Sequence, residues 1–155
     1  TANGAGLAPS YKAAAAGGGG SFVVAVKTAS QTIGNGTGTT IPFDTEFTDA
    51  LGEYNPGNGV FTAANDGFYL MHASVMWANV NANKRYQLVA HGGGIYPSMI
   101  QQGAAAGYMQ QTVTWATALN AGGTMYVQAY QTSGGNETIY SDACRYGWII
   151  FMRVQ

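Results

Sequence analysis

The stretch Tyr54-Asn55-Pro56-Gly57-Asn58-Gly59-Val60-Phe61-Thr62-Ala63-Ala64-Asn65-Asp66-Gly67-Phe68-Tyr69-Leu70 joins a dense turn, a short β-branched and aromatic run, a second polar turn and the start of a long apolar segment. Gly and Asn accept left-handed backbone and Pro fixes φ, so such clusters reverse the chain. In the segment 67–78 the side chains alternate with period two. Tyr69, Met71, Ala73, Val75 and Trp77 fall on one face, and Phe68, Leu70, His72, Ser74 and Met76 on the other. Both faces are largely apolar. A strand of this kind in an antiparallel fold sets its outer face against another subunit, so Phe68, Leu70, His72 and Met76 are the expected contact with identical copies.

The same grammar runs outward in both directions. Strands are expected over 22–29, 39–47, 59–63, 67–78, 85–90, 94–101, 108–119, 124–132, 138–140 and 146–154, separated by Gly34-Asn35-Gly36, Gly92-Gly93-Gly94, Asn120-Ala121-Gly122-Gly123 and Ser133-Gly134-Gly135-Asn136. No segment has helical periodicity. Ten short strands with regular turns make an all-β sandwich or barrel. In 108–119, Met109, Val113, Trp115 and Leu119 alternate with Tyr108, Gln110, Thr112 and Thr114, so the second face of that strand is polar.

The 155 residues suffice for one domain with appendages. Residues 1–20 hold seven Ala and six Gly and form a stalk or linker; residues 21–155 form the head. Charged residues are only 8% of the chain, with six Lys and Arg against seven Asp and Glu. No nucleic-acid partner is expected, because phosphate binding rests on clustered cations and Lys84-Arg85 is the one adjacent basic pair. No apolar run reaches the roughly 18 residues of a membrane span, so no membrane insertion is expected. A surface so poor in charge is expected to be covered in part by neighbours. The single cysteine, Cys144, rules out an internal disulfide and reads as a small buried hydrophobe. The chain starts at Thr1 without Met, which suggests a cleavage product or the ordered end of something longer.

The opening stretch resembles the signature of C1q-like domains, a Tyr-Asn, Gly-x-Phe-Thr, then Gly-x-Tyr pattern leading into a long strand. Leu119-Asn120-Ala121-Gly122-Gly123-Thr124-Met125-Tyr126-Val127 is similar to the family's Leu-x-x-Gly-Asp-x-Val stretch, with Gly123 in place of the Asp. Tyr146-Gly147-Trp148-Ile149-Ile150 stands where the family has its aromatic, Gly and apolar closing strand, with the glycine spacing off by one. The resemblance implies a C1q/TNF-like ten-stranded jelly-roll sandwich, homotrimeric, with both termini at the base. Some members hold calcium near the threefold axis. With Gly123 replacing the Asp, neither metal nor other cofactor is expected here.

Gly4-Ala5-Gly6-Leu7-Ala8-Pro9-Ser10-Tyr11 is similar to Gly-x-Gly-x-x-Pro-x-aromatic segments of bacteriophage tail-fibre and other virion fibre proteins, just before a distal head. This resemblance implies a head on the virion surface, joined to other virion proteins through its stalk and attaching to a glycan or protein of the host surface. The alternative is a secreted or cell-surface C1q-like lectin of a bacterium or animal, against which the absence of Gly-X-Y repeats counts.

Catalysis is not expected. His72 and His91 are the only histidines, and no Gly-x-Ser-x-Gly elbow accompanies them. Asp44, Glu46, Asp49 and Glu53 bring four acids together, yet no Asp-x-Asp-x-Asp-Gly loop is present, and a solvated strand-and-turn face is the simpler reading. Asn35-Gly36-Thr37 and Asn136-Glu137-Thr138 match the glycosylation sequon and read as turns.

Strand counting places a candidate binding surface. With both termini at the base, the loops 79–84, 102–107 and 133–136 become apical, while 91–93 and 120–123 point towards the stalk. The apical set offers Asn79, Asn81, Asn83, Lys84, Gln102 and Asn136, with Arg85, Tyr108 and Tyr140 at its margins. Amides and tyrosine rings suit a sugar, for an amide both donates and accepts in fixed directions and a ring covers an apolar face.

Overall fold

A computed structural model describes residues 20–103, 107–142 and 146–154. The expected stalk up to residue 19, part of the 102–107 loop, and Cys144 lie outside the described residues. Two antiparallel sheets enclose one core, and there is no helix among the described residues. The strands are β1 (Phe22–Val26), β2 (Gln31–Ile33), β3 (Thr39–Thr40), β4 (Thr45–Asp49), β5 (Tyr54–Asn55), β6 (Val60–Thr62), β7 (Gly67–Ala78), β8 (Arg85–Gly92), β9 (Ser98–Gln102), β10 (Met109–Leu119), β11 (Thr124–Gln131), β12 (Glu137–Tyr140) and β13 (Trp148–Val154).

Sheet A centres on β7. On one side β7 pairs with β10 over its whole length; on the other it pairs with β13 at Phe68–Ser74 and with β12 at Met76–Ala78. β12 and β13 therefore lie end to end, running in the same direction. β2 continues beyond β12, and β1 and β4 continue beyond β13. Sheet B runs β5-β6-β11-β8-β9, with β3 also on β11.

The expected strand 39–47 is the main error of the sequence reading. It divides into β3, which joins sheet B, and β4, which joins sheet A. Between them the chain crosses the sandwich: Ile41 and Phe43 are fully buried, and Pro42, lacking an N–H, cannot continue a ladder. Asp44 fixes the crossing by accepting hydrogen bonds from the Thr28 and Ala29 amides. The short β2 and β5 add two strands that were not expected, so ten become thirteen. The expected 94–101 strand starts only at Ser98, because Gly93 and Gly94 take left-handed φ of 62° and 77°.

The two inner faces interdigitate. Sheet A contributes Tyr69, Met71, Ala73, Val75, Trp77, Ile149 and Phe151, and sheet B contributes Phe61, Tyr86, Leu88, Met125 and Val127. The alternation read in 67–78 is the one found, since Tyr69 through Trp77 on the odd positions are wholly buried. Buried polar groups cross the core in pairs, as burial without a partner would be costly. The Trp77 Nε1 donates to Gln111 Oε1 at 2.7 Å, and Gln111 Nε2 donates to the Tyr86 carbonyl of the opposite sheet at 3.1 Å.

The signature stretch has a local cause at each position. Asn55 Oδ1 accepts from the Gly57 amide at 2.9 Å and Asn58 Oδ1 from the Val60 amide at 3.0 Å. Gly59 has φ 75°, and a Cβ there would lie 2.6 Å from the Ile41 carbonyl oxygen. Phe61 packs into the core, and the Tyr69 hydroxyl donates to the Asn65 carbonyl at 2.7 Å.

Candidate functional site

The ends of the sandwich follow from strand direction. The Arg153 amide donates to the Ser21 carbonyl at 2.9 Å, so the first and last described strands meet at one end. The 120–123 turn is at that end too, tied to 63–66 by Ala63 N to Gly123 O at 2.9 Å and Ala121 N to Asp66 Oδ1 at 2.7 Å. At the other end the 79–84 loop is bonded to Gly103 and Gly107 and to Glu137 at the start of β12. The Asn83 amide donates to Gly103 O at 2.8 Å, Val80 N donates to Gly107 O at 3.0 Å, and Asn81 Nδ2 donates to Glu137 Oε1 at 2.7 Å.

The individual side chains there divide into two kinds. Asn79 and Asn83 hold left-handed φ of 55° and 61°, and the Asn81 amide anchors the buried Glu137, so these three residues shape the loops. Lys84 and Asn136 are exposed at this end. The marginal residues are separated. Arg85 and Gln102 are cross-strand partners on sheet B, whereas Tyr108 and Tyr140 tilt against each other at 5.3 Å, with Tyr146 5.8 Å beyond Tyr140 and Tyr140 itself beside Met76 on sheet A.

The outer face of sheet A is apolar. Phe68 is 49% exposed, and Leu70, His72 and Met76 are half-buried beside it. Cross-strand neighbours extend this face: Trp148, Ile150, Met152 and Val154 on β13, Phe22 and Val24 on β1, Ala116 and Ala118 on β10. His72 is the polar centre, bonded through Nδ1 to Thr114 Oγ1 at 2.6 Å and tilted on Trp148 at 4.8 Å.

Of the four acids read as one solvated face, Asp44, Asp49 and Glu53 are structural caps, and Glu46 is exposed. Asp49 accepts from the Glu53 and Tyr54 amides at 3.0 and 2.8 Å. Glu53 is buried, contrary to that reading, and its Oε1 accepts from Ser21 Oγ and the Ala64 amide at 2.8 Å each. Partial burial raises the pKa of Asp44, but hydrogen bonds from Thr28 and Ala29 and the charge of Lys27 outweigh it, leaving the carboxyl below its ordinary value. Lys27 is buried with Nζ on the Pro42 carbonyl at 3.1 Å; desolvation lowers its pKa and Asp44 pulls the other way.

A groove on the outer face of sheet B was missed. Outward positions of β8 and β11 alternate as Arg85, Gln87, Val89, His91 and Tyr126, Gln128, Tyr130, and the register sets His91 against Tyr126 and Gln87 against Tyr130. With Gly38 and Tyr96, all of these but Tyr126 bound a groove of about 430 Å³, and a smaller hollow of about 160 Å³, lined by Tyr126, adjoins it at His91 and Tyr96. The His91 ring stacks on Tyr126 at 4.4 Å and tilts on Tyr96 at 4.7 Å. Neither of its buried nitrogens makes a hydrogen bond of good geometry. Burial pushes its pKa below the usual histidine value, with the Gln128 amide acting weakly in the opposite direction. Period-two reading of 85–91 and 126–130, applied to the outward positions, is the signal that would have found this surface.

A family model for the C1q domain matches residues 21–148. The fold is similar to the globular domain of zebrafish complement 1qA protein, with a TM-score of 0.65 at 10% identity over 87% of this chain and 98% of that one. It is also similar to murine APRIL, with a TM-score of 0.61 at 12% identity over 88% of this chain and 100% of that one. The Eiger TNF of S. frugiperda follows the same path, with a TM-score of 0.59 at 10% identity over 88% of this chain and 93% of that one. No curated protein matches the sequence.

Proposed function

The chain belongs to the C1q family, with an all-β C1q/TNF jelly roll, and from that premise we propose that it works as a homotrimeric, non-enzymatic binding head. The observation that carries this reading is the apolar outer face of sheet A. Phe22, Phe68 and Val154 are 46%, 49% and 44% exposed in the single chain and line up across three adjacent strands. Contiguous apolar surface of this kind marks an interface with another protein. A closed ring of identical copies satisfies it without leaving an open end. The interface residues are Phe68, Leu70, His72 and Met76, with the β1 and β13 side chains beside them.

In this arrangement residues 21–155 are the head and residues 1–20 the stalk that enters at the end shared by β1 and β13. The opposite end, with Lys84 and Asn136 foremost, faces outward to a ligand on a surface, a glycan in the reading we prefer. A secreted or cell-surface binding protein fits the family directly. The segment Gly4-Ala5-Gly6-Leu7-Ala8-Pro9-Ser10-Tyr11 favours a second setting, the distal head of a bacteriophage fibre attaching to its host. Sedimentation equilibrium tests the assembly: a mass three times 16.1 kDa at micromolar concentration is expected, and a stable monomer would overturn it.

A further inference from the structure

The groove on sheet B lies on the sheet opposite the apolar face and is complete within one chain, so it owes nothing to the assembly proposed above. Its lining combines one cation, two amides and aromatic rings, with no carboxylate. Arg85 is held at one end, its guanidinium donating to Gln87 Oε1 and lying 5.5 Å from the Tyr130 ring centre. It has no acidic partner among the described residues. A guanidinium carries five donors, so most of this one remains free to face an incoming anion.

Next to Arg85, Gln87 and Gln128 present amides on neighbouring strands. Each can both donate to and accept from a hydroxyl. At the far end Tyr96 is 61% exposed and turns its ring over His91, at the junction of the two hollows. An exposed tyrosine supplies an apolar platform with a polar tip. The His91 nitrogens, buried beneath that ring with no hydrogen bond of good geometry, are further polar positions that a ligand lifting Tyr96 would reach. The volume of about 430 Å³ falls among small-ligand clefts.

We propose that this groove binds a carboxylated sugar, with its carboxylate on Arg85, its hydroxyls on Gln87 and Gln128, and its apolar ring face on Tyr96. Arg and carboxylate pair through two parallel hydrogen bonds, which fixes the orientation of the sugar as well as its charge. The amides then read hydroxyls along β8 and β11, and Tyr96 closes the far end. The site differs from the loop surface around Lys84 and Asn136, with Arg85 standing at the boundary of the two.

The test is a printed array of uronate- and sialic-acid-bearing glycans, each beside its carboxyl-reduced counterpart, followed by calorimetric titration of the best carboxylated glycan. That glycan should bind at least tenfold more tightly than its reduced partner. Arg85→Gln should remove the difference, and Tyr96→Ala should weaken both by tenfold or more. Both side chains are exposed, and unchanged thermal melting of the variants confirms that the fold is intact. Equal binding within each pair, affinity indifferent to Arg85→Gln, or retention of no carboxylated glycan would overturn the assignment. Loss of binding in a Lys84→Ala, Asn136→Ala double variant with binding retained in Arg85→Gln would place the sugar on the loops and overturn it equally.

Discussion

Phe61 and Phe151 stack with ring centres 4.6 Å apart and planes 15° from parallel, and in doing so they join the two sheets. Phe61 stands on β6 in sheet B and Phe151 on β13 in sheet A, so a sequence separation of ninety residues closes at a single ring pair. Tyr69 and Tyr54 tilt against the same pair at 5.5 and 5.8 Å. Phe61→Ala should therefore lower stability by about 3–5 kcal/mol, since the cavity would be walled by rigid rings. Urea unfolding measures this, and a loss below about 1 kcal/mol would show that the site collapses.

Gly59 is the most constrained position of the signature stretch. Its left-handed φ costs any L side chain about 1–2 kcal/mol, and the Cβ would also press on the Ile41 carbonyl 2.6 Å away. Gly59→Ala is expected to destabilise by more than the φ cost alone. Gly135→Ala, where a Cβ meets nothing and φ is not left-handed, should change the thermal midpoint little.

Asn83 separates a structural role from a ligand role. With φ 61°, Asn83→Ala should cost about 1 kcal/mol while Asn83→Gly stays near neutral. Equal stability of the two would contradict the backbone argument. If ligand capture falls alike in both, the amide itself touches the ligand.

Leu70 tests the assembly face. Its cross-strand neighbours are Ala116 and Met152, on either side of the same outer surface. An aspartate buried there in a trimer would lack a partner, at a cost of several kcal/mol per subunit. Leu70→Asp should yield monomers by light scattering. A trimer that survives the change would move the interface elsewhere.

Asp44 predicts the acid limb of stability. Its folded pKa is lowered, so its contribution is present above the unfolded carboxylate value and disappears as pH falls through the folded one. The stability gap between the wild type and Asp44→Asn should be widest near about pH 6 and narrow towards about pH 3. A gap constant with pH would assign the effect to shape alone.

Much of the fold was legible because its long strands alternate strictly. β7, β10 and β11 fall within a residue or two of their expected limits, and the 79–84 loop bonds to Gly103, Gly107 and Glu137 at the end away from Ser21 and Arg153. Legibility ended where tertiary placement overrides local pattern. Thr39-Thr40-Ile41-Pro42-Phe43 is β-branched and apolar enough to read as one strand with Asp44-Thr45-Glu46-Phe47, yet it crosses from one sheet to the other, and only Pro42 and the Asp44 caps hint at the break. β2 and β5, three and two residues long, are too short to show a period. The sheet B groove escaped for another reason: Gln87, Gln128 and Tyr130 look like ordinary outward positions until the register sets them side by side.

β10 borders sheet A, with β7 as its one ladder partner among the described residues, and no charge stands anywhere in Met109–Leu119. Its free backbone row is eleven residues long, rich in Thr and Gln, and without proline. Such an edge is a template for any passing strand. If the chain assembles as proposed, a newly made copy faces a race between that assembly and lateral stacking into insoluble β-rich material, decided by how fast partners arrive. Slow synthesis at low temperature should favour the soluble product, and a lysine at outward-facing Thr114 should protect the lone subunit at the expense of His72's hydrogen bond.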